Sequence, residues 1–219
     1  YEIPKEQTKE DTFLANVIVD TDKNDCSNAF AYVPDLGGYG LIVYSLKENR
    51  SWRVKHNFFH FDPLMGDFNV AGVRFQWTDG IFALAVGNKK PDQSKDVYFH
   101  ALASTKEFVV SNRVLQNETY ANSPEAYNDY MLVGDRGHSG QSTAEVFDEK
   151  NNVIFYTQIN KDAIGCWNTQ KPLNPDTQGL VDSDSTALVF PNDMKLDRER
   201  NLWVLSDKMP LYVYKSLEI

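Results

Sequence analysis

Four histidines and one glycine-rich polar loop are the places in this chain where residue type and spacing could support chemistry. His138 sits in Gly134-Asp135-Arg136-Gly137-His138-Ser139-Gly140-Gln141-Ser142, the richest polar loop of the sequence. Asp135 and His138 there are an acid and a base three residues apart, the pair that proton transfer asks for. A plainer reading stands beside it: glycine loops between strands need positive backbone angles, and Asp135 and Arg136 then only tie the loop down. Ser139 is not a nucleophile elbow, because Gln141 stands where the last glycine of Gly-x-Ser-x-Gly belongs. His56 and His60 flank Phe58-Phe59 outside any helical pattern, so their spacing does not place both on one face as a zinc pair needs. His100 lies in an apolar run, 97–102, and reads as a packing residue. Asp20-Thr21-Asp22-Lys23-Asn24-Asp25 is acidic enough to suggest calcium, but Asp25 and Ala31 occupy the positions that require Gly and Glu. It reads as a hairpin turn, as does Asp182-Ser183-Asp184, and no metal or cofactor is assigned.

Short strands must position these groups. Runs at 17–19, 29–33, 40–46 and 52–54 are separated by Asp/Asn/Gly turn clusters, which supply the angles of tight reversals. The theme recurs at 81–86, 97–102 and 108–111, then at 143–147, 153–158 and 163–167, then at 194–196, 202–205 and 211–214. The first strands of the sets are spaced by 64, 62 and 51 residues. A loose repeat of small meanders predicts propeller blades with long loops, the competing architecture being a β-sandwich. Trp52, Trp167 and Trp203 recur at strand positions and are expected between blades. Ser123-Pro124-Glu125-Ala126-Tyr127 predicts a single helical turn capped by Ser123.

Among 219 residues, 42% are hydrophobic and 13% aromatic, which supplies a substantial core and excludes a disordered chain. The formal charge of −9 argues against nucleic acid or an anionic membrane as partner. No apolar run approaches the length of a membrane span. The first residues have no signal-peptide character, and both chain ends look arbitrary. Cys26 and Cys166 are in no metal-ligand spacing; they can pair with each other, or each with a cysteine outside this stretch. Asn49-Arg50-Ser51 and Asn117-Glu118-Thr119 are glycosylation sequons.

Seven segments, in order along nearly the whole chain, carry a more specific signal. They are 25–35 (Asp-Cys-Ser-Asn-Ala-Phe-Ala-Tyr-Val-Pro-Asp), 38–44, Ser51-Trp52-Arg53-Val54, Trp77-Thr78-Asp79-Gly80-Ile81-Phe82, 98–104 (Tyr-Phe-His-Ala-Leu-Ala-Ser), Ala163-Ile164-Gly165-Cys166-Trp167-Asn168 and 202–210 (Leu-Trp-Val-Leu-Ser-Asp-Lys-Met-Pro). The chain resembles the yellow / major royal jelly protein family, and within it the yellow-related salivary proteins of sand flies. The resemblance implies an all-β fold, a six-bladed β-propeller of which residues 1–219 supply about four blades as one domain incomplete at both ends, needing the remaining blades of the same protein. It also implies a secreted, extracellular protein that sequesters biogenic amines such as serotonin, catecholamines and histamine in a central channel.

An ammonium on an aromatic ring needs an acceptor and apolar or aromatic walls. In a propeller the innermost strands and the loops before them face the channel. The expected ligand-binding residues are therefore Trp77 and Asp79, Gln141 and Ser142, and Phe190, Asn192 and Asp193. The alternative for the last three is a turn at Asn192-Asp193 with Phe190 packed between blades. Two rival functions remain: a dopachrome-converting enzyme using Asp135 or His138, and a nutritive or structural secreted protein without a specific ligand.

Overall fold

The computed structural model describes residues 1–22 and 25–215. The first sheet runs β1 (Ile18–Asp22), β2 (Asp25–Asp35), β3 (Gly40–Ser45) and β4 (Arg50–Val54). A hairpin follows, β5 (Asp67–Val70) and β6 (Val73–Gln76). The second sheet contains β7 (Ile81–Lys89), β8 (Lys95–Ala101), β9 (Lys106–Ser111) and β10 (Met131–Asp135). The third contains β11 (Glu145–Asp148), β12 (Val153–Gln158), β13 (Ala163–Asn168) and β14 (Gln178–Ser183). A two-stranded sheet, β15 (Pro191–Leu196) and β16 (Leu202–Ser206), completes the series. All neighbouring strands are antiparallel and lie in chain order within each sheet. The first strand is thus an edge, and these edges meet: β7 neighbours β1 and β11, with β2 also beside it, and β11 neighbours β15. Meanders set side by side with their first strands inward are the blades of a β-propeller.

Apolar residues run through the strands because both faces of a blade are covered. Trp52, Val54, Phe59, Phe99, Phe108 and Val110 fill the space between the first two blades. Ala85, Tyr98, Val109, Ile154, Tyr156 and Trp167 fill the next, and Ala144, Ile164 and Met194 the one after. A further core lies at the end where the innermost strands begin. There the β5–β6 hairpin lays Phe68, Val70, Val73 and Phe75 over Leu36, Leu102, Ile159 and Phe190. Its two-residue turn, Ala71-Gly72, holds both residues at positive φ (47° and 80°), the geometry that matches strand twist.

Several expectations are corrected. Residues 211–214 are not a strand: they belong to a helix, Met209–Tyr214 (α3). Pro210 sits in its first turn, where no backbone donor is needed, and the Asp207 carboxylate accepts from the Met209 N–H. Lys23 and Asn24 of the acidic turn lie outside the described residues. Trp203 is 66% exposed on β16 and donates to Asp197, unlike the buried Trp52 and Trp167. The turn at Pro124–Asp129 is a 3-10 helix that Ser123 does not cap. Two short helices, α1 (Asn112–Leu115) and α2 (Glu118–Ala121), precede it. Cys26 on β2 and Cys166 on β13 are both free, and the whole second blade lies between their sheets, so they form no disulfide with each other. Asn49 and Asn117 are exposed, as glycosylation requires.

The turn after β2 is tied by Asp35, which has no exposed surface. Its carboxylate accepts from Arg53 (2.7 Å), Thr12 (2.8 Å) and the N–H groups of Phe13 and Gly38 (2.9 Å each). Burial acts to raise its pKa, but Arg53 and these donors hold it below the usual carboxylate range. The contribution to stability is complete above the ordinary value of 3.8 and fades as pH falls below it. Asp35→Ala leaves a buried guanidinium without its carboxylate and should cost about 3–5 kcal/mol, measured by denaturant unfolding at neutral pH.

Candidate functional site

The loops before β7, β11 and β15 gather at the hairpin-covered end of the propeller. The backbone around Asp79 is pinned there. Its carbonyl accepts from Ala103 N (3.1 Å), the Gly80 carbonyl from Leu102 N (2.8 Å), and the Gly80 N–H donates to Leu36 O (3.1 Å). A Cβ on Gly80 would stand 2.6 Å from Phe59 O and from the Tyr39 ring, so only glycine lets the strand start this close to the neighbouring turn. The half-buried Asp79 carboxylate makes no hydrogen bond or ion pair among the described residues. Desolvation alone pushes its pKa up to about 6. An unpaired carboxylate poised near neutrality is suited to accept a proton or to receive a cation.

Trp77 and Phe190, expected together, do meet: their rings are 5.9 Å apart and perpendicular. Phe68, Phe75 and Tyr214 complete an aromatic cluster, with Trp77 Nε1 donating to the Tyr214 hydroxyl at 2.7 Å. Phe190 is fully buried with φ at 51°, a strained angle for a bulky residue. It is therefore a packing anchor held under strain. Gln141 is buried too, and its amide donates to the carbonyls of Met65 (2.9 Å) and Asp67 (3.3 Å), fastening the hairpin. Ser142 is buried against Thr157 (3.2 Å). Asn192 and Asp193 lie within β15 and not before it. Asn192 donates to Asp207 (2.8 Å), while Asp193 caps its own strand at Met194 N (2.8 Å) and lines a cleft of about 180 Å³ with Trp203 and Lys195. Asp79 and Trp77 are thus the expected residues left with an unpaired acceptor or a partly exposed ring at this end. Lys161, on the 3-10 turn Ile159–Lys161 at the same end, has its pKa lowered by desolvation and by the Arg136 charge.

The polar loop divides differently from expectation. His138 is exposed, whereas Asp135 accepts from Gly137 N at 2.7 Å and so ties the loop. Arg136 enters the interior, 1% exposed, and donates to Glu107 (2.5 Å), Gly140 O (2.8 Å) and Ser104 O (3.3 Å), with Tyr156 beneath it at 5.6 Å. Glu107 also faces His100 Nδ1 at 3.0 Å, and Glu145 lies 3.5 Å from the same nitrogen. This quartet between the second and third blades was missed from the sequence. Its signal is there: Glu107, Glu145 and His100 each interrupt an apolar strand whose faces are both covered. Burial and the Glu107 charge push the Glu145 carboxyl up to about 7. His56 stacks on Tyr130 (3.9 Å) and His60 on Tyr39 (4.6 Å), each fixed away from a shared ligand role.

A polar cleft of about 550 Å³ opens at the opposite ends of β1 and β7, lined by Thr21, Asn88, Lys89, Lys95 and Glu149. No helix among the described residues is long and apolar enough to cross a membrane.

The sequence profile described as major royal jelly protein matches residues 1–219. L-dopachrome tautomerase yellow-f of Drosophila melanogaster is 43% identical over the whole chain, which covers 51% of that protein. Protein yellow of Drosophila madeirensis is also 43% identical over the whole chain, which covers 38% of it. The chain thus spans about half or less of the curated relatives it matches. Solved structures match more distantly. Hydrazine synthase of Kuenenia stuttgartiensis has a TM-score of 0.44 at 12% identity, over 84% of this chain and 40% of that one. A luciferin-regenerating enzyme has a TM-score of 0.41 at 9% identity, over 89% and 70%.

Removing the Arg136 charge by Arg136→Met strands Glu107 in the interior and should cost about 3–5 kcal/mol of stability. His138→Ala, at an exposed site, should stay within about 0.5 kcal/mol of the parent. Parallel denaturant titrations of both variants check the contrast.

Proposed function

Since the chain belongs to the major royal jelly protein family, we propose that it supplies the proton-transfer end of a secreted propeller acting on an L-dopachrome-like substrate, with Asp79 as the base. The observation that carries this is the unpaired, half-buried Asp79 carboxylate with its pKa raised to about 6, beside the aromatic cluster of Trp77. The printed activity of the relative yellow-f, 43% identical across this stretch, gives the substrate class. Tautomerisation of dopachrome consumes no oxidant. A base removes a proton from a ring carbon, the electrons pass into the quinone, and a quinone oxygen takes a proton. Asp79 fits the first step because a base works best with a pKa near the operating pH. Lys161, at the same end, offers a cation for the substrate carboxylate.

A second reading is favoured by the same carboxylate: sequestration of biogenic amines, the ammonium resting on Asp79 and the ring against Trp77. Exposed Asn49 and Asn117 agree with a secreted glycoprotein under either reading.

Kinetics on the intact protein separate the two. With L-dopachrome, Asp79→Asn should lower kcat by about 10²–10⁴ while His138→Ala leaves it unchanged. The parent rate should rise with pH through about 6 as Asp79 loses its proton. Heat on titrating serotonin, dopamine or histamine without any dopachrome turnover would establish the amine reading instead.

Stability moves the opposite way. With its pKa raised above 3.8, Asp79 costs the fold increasing stability as pH climbs from about 4 to 6. At neutral pH Asp79→Asn should therefore gain roughly 1–2 kcal/mol, read as a higher melting temperature.

A further inference from the structure

Between the second and third blades, three potential metal ligands converge without enough hydrogen-bonding partners to account for them. His100, Glu107 and Glu145 are 0%, 2% and 7% exposed. One ligand atom from each lies within 4.8 Å of the other two. Both oxygens of Glu145, Oε1 of Glu107 and Nε2 of His100 have no hydrogen-bond partner. An ionised carboxylate buried without partners costs several kcal/mol; Glu107 has Arg136 and His100, but Glu145, with neither oxygen hydrogen-bonded and only His100 facing it, calls for a further compensating group.

We propose that His100, Glu107 and Glu145 hold a divalent first-row transition-metal ion, Zn²⁺ or Mn²⁺, that staples the two blades together. One separation falls within the spacing of a tetrahedral shell and the other slightly short of it. His100 Nδ1 is 3.0 Å from Glu107 Oε2 and 3.5 Å from Glu145 Oε2. Ligands about 2.0–2.2 Å from a tetrahedral ion stand roughly 3.2–3.6 Å from each other. The donor set fits. One imidazole and two carboxylates suit zinc or manganese, whereas calcium asks for six to eight oxygens. Arg136 is no substitute for the ion: it occupies Glu107 Oε2 alone and leaves Glu145 unaddressed. Its guanidinium and the Tyr156 ring beneath it instead hold Glu107 in place, as the outer partners of metal ligands do. The ligands come from three strands, β8, β9 and β11, so the ion would join two sheets that already meet by packing and by hydrogen bonds such as Asn88 to Glu149 O and Gln178 to Arg136 O. A fully enclosed site takes up its ion during folding, not afterwards.

The test uses the intact protein carrying this chain, purified without immobilised metal and refolded with equimolar Zn²⁺, Mn²⁺ or Ca²⁺. Elemental analysis should find about one zinc or manganese per chain and no calcium. Refolding with chelator should lower the melting temperature. Glu145→Gln should cut the metal content at least tenfold while circular dichroism keeps the β signature. Parent protein with less than a tenth of an equivalent after refolding would overturn the proposal, leaving His100 as the imidazolium of an ion cluster. So would a Glu145→Gln protein that holds the metal as well as the parent. If that variant does not fold, the content of the parent decides alone.

Discussion

A guanidinium sealed between two blades sets the conditions that everything around it must meet. Arg136 cannot lose its charge, so each acceptor it uses has to be brought inside. Glu107 reaches it from β9, Ser104 from the turn before that strand, and Gly140 from its own loop. The loop must curl back on itself for the last contact. Gly137 at φ 81° makes the reversal, and a Cβ on Gly140 would sit 2.8 Å from the Arg136 Cβ. The glycines that make 134–142 look like a mobile active-site loop are what let it close as a clamp. Packing of Tyr98, Tyr156 and Trp167 then fills the rest of the interface.

The blades were legible in the sequence because each strand is apolar and each turn is marked by Gly, Asn or Asp. Strands at 17–19, 29–33, 40–46 and 52–54 correspond to β1 through β4. The β5–β6 hairpin escaped notice because Ala71, a residue with no turn preference, takes the left-handed position that Asn or Asp usually marks. β14 escaped because it lies at the blade rim with nearly all of its residues exposed, so no apolar run announces it. The helix at Met209–Tyr214 looked like a strand since Leu-Tyr-Val-Tyr has strong strand propensity, which Pro210 and packing on Phe75 override.

Of the anticipated site residues, those whose environment depends on local sequence were easier to place than those whose partners come from afar. Asp79 precedes an inner strand in a motif whose glycine enforces close approach. Gln141 was expected to meet a ligand and instead meets two carbonyls some 75 residues upstream in the chain, at Met65 and Asp67. Nothing near it in the sequence signals that. The hairpin that Gln141 fastens lays Phe68, Val70 and Phe75 over the end where the inner strands start. Asp79 lies at the same end, and burial holds its charged form high in free energy.

The hydrogen bond from Trp77 to Tyr214 joins positions 137 residues apart. On a ribosome adding about 5–20 residues per second, the hairpin waits roughly 7–27 s for the helix that completes its cover. Throughout that interval Phe75 and Trp77 are an adhesive surface on a nascent chain, available to any chaperone that arrives. The segment around Tyr214 therefore governs when the hairpin lid can be trusted to shut.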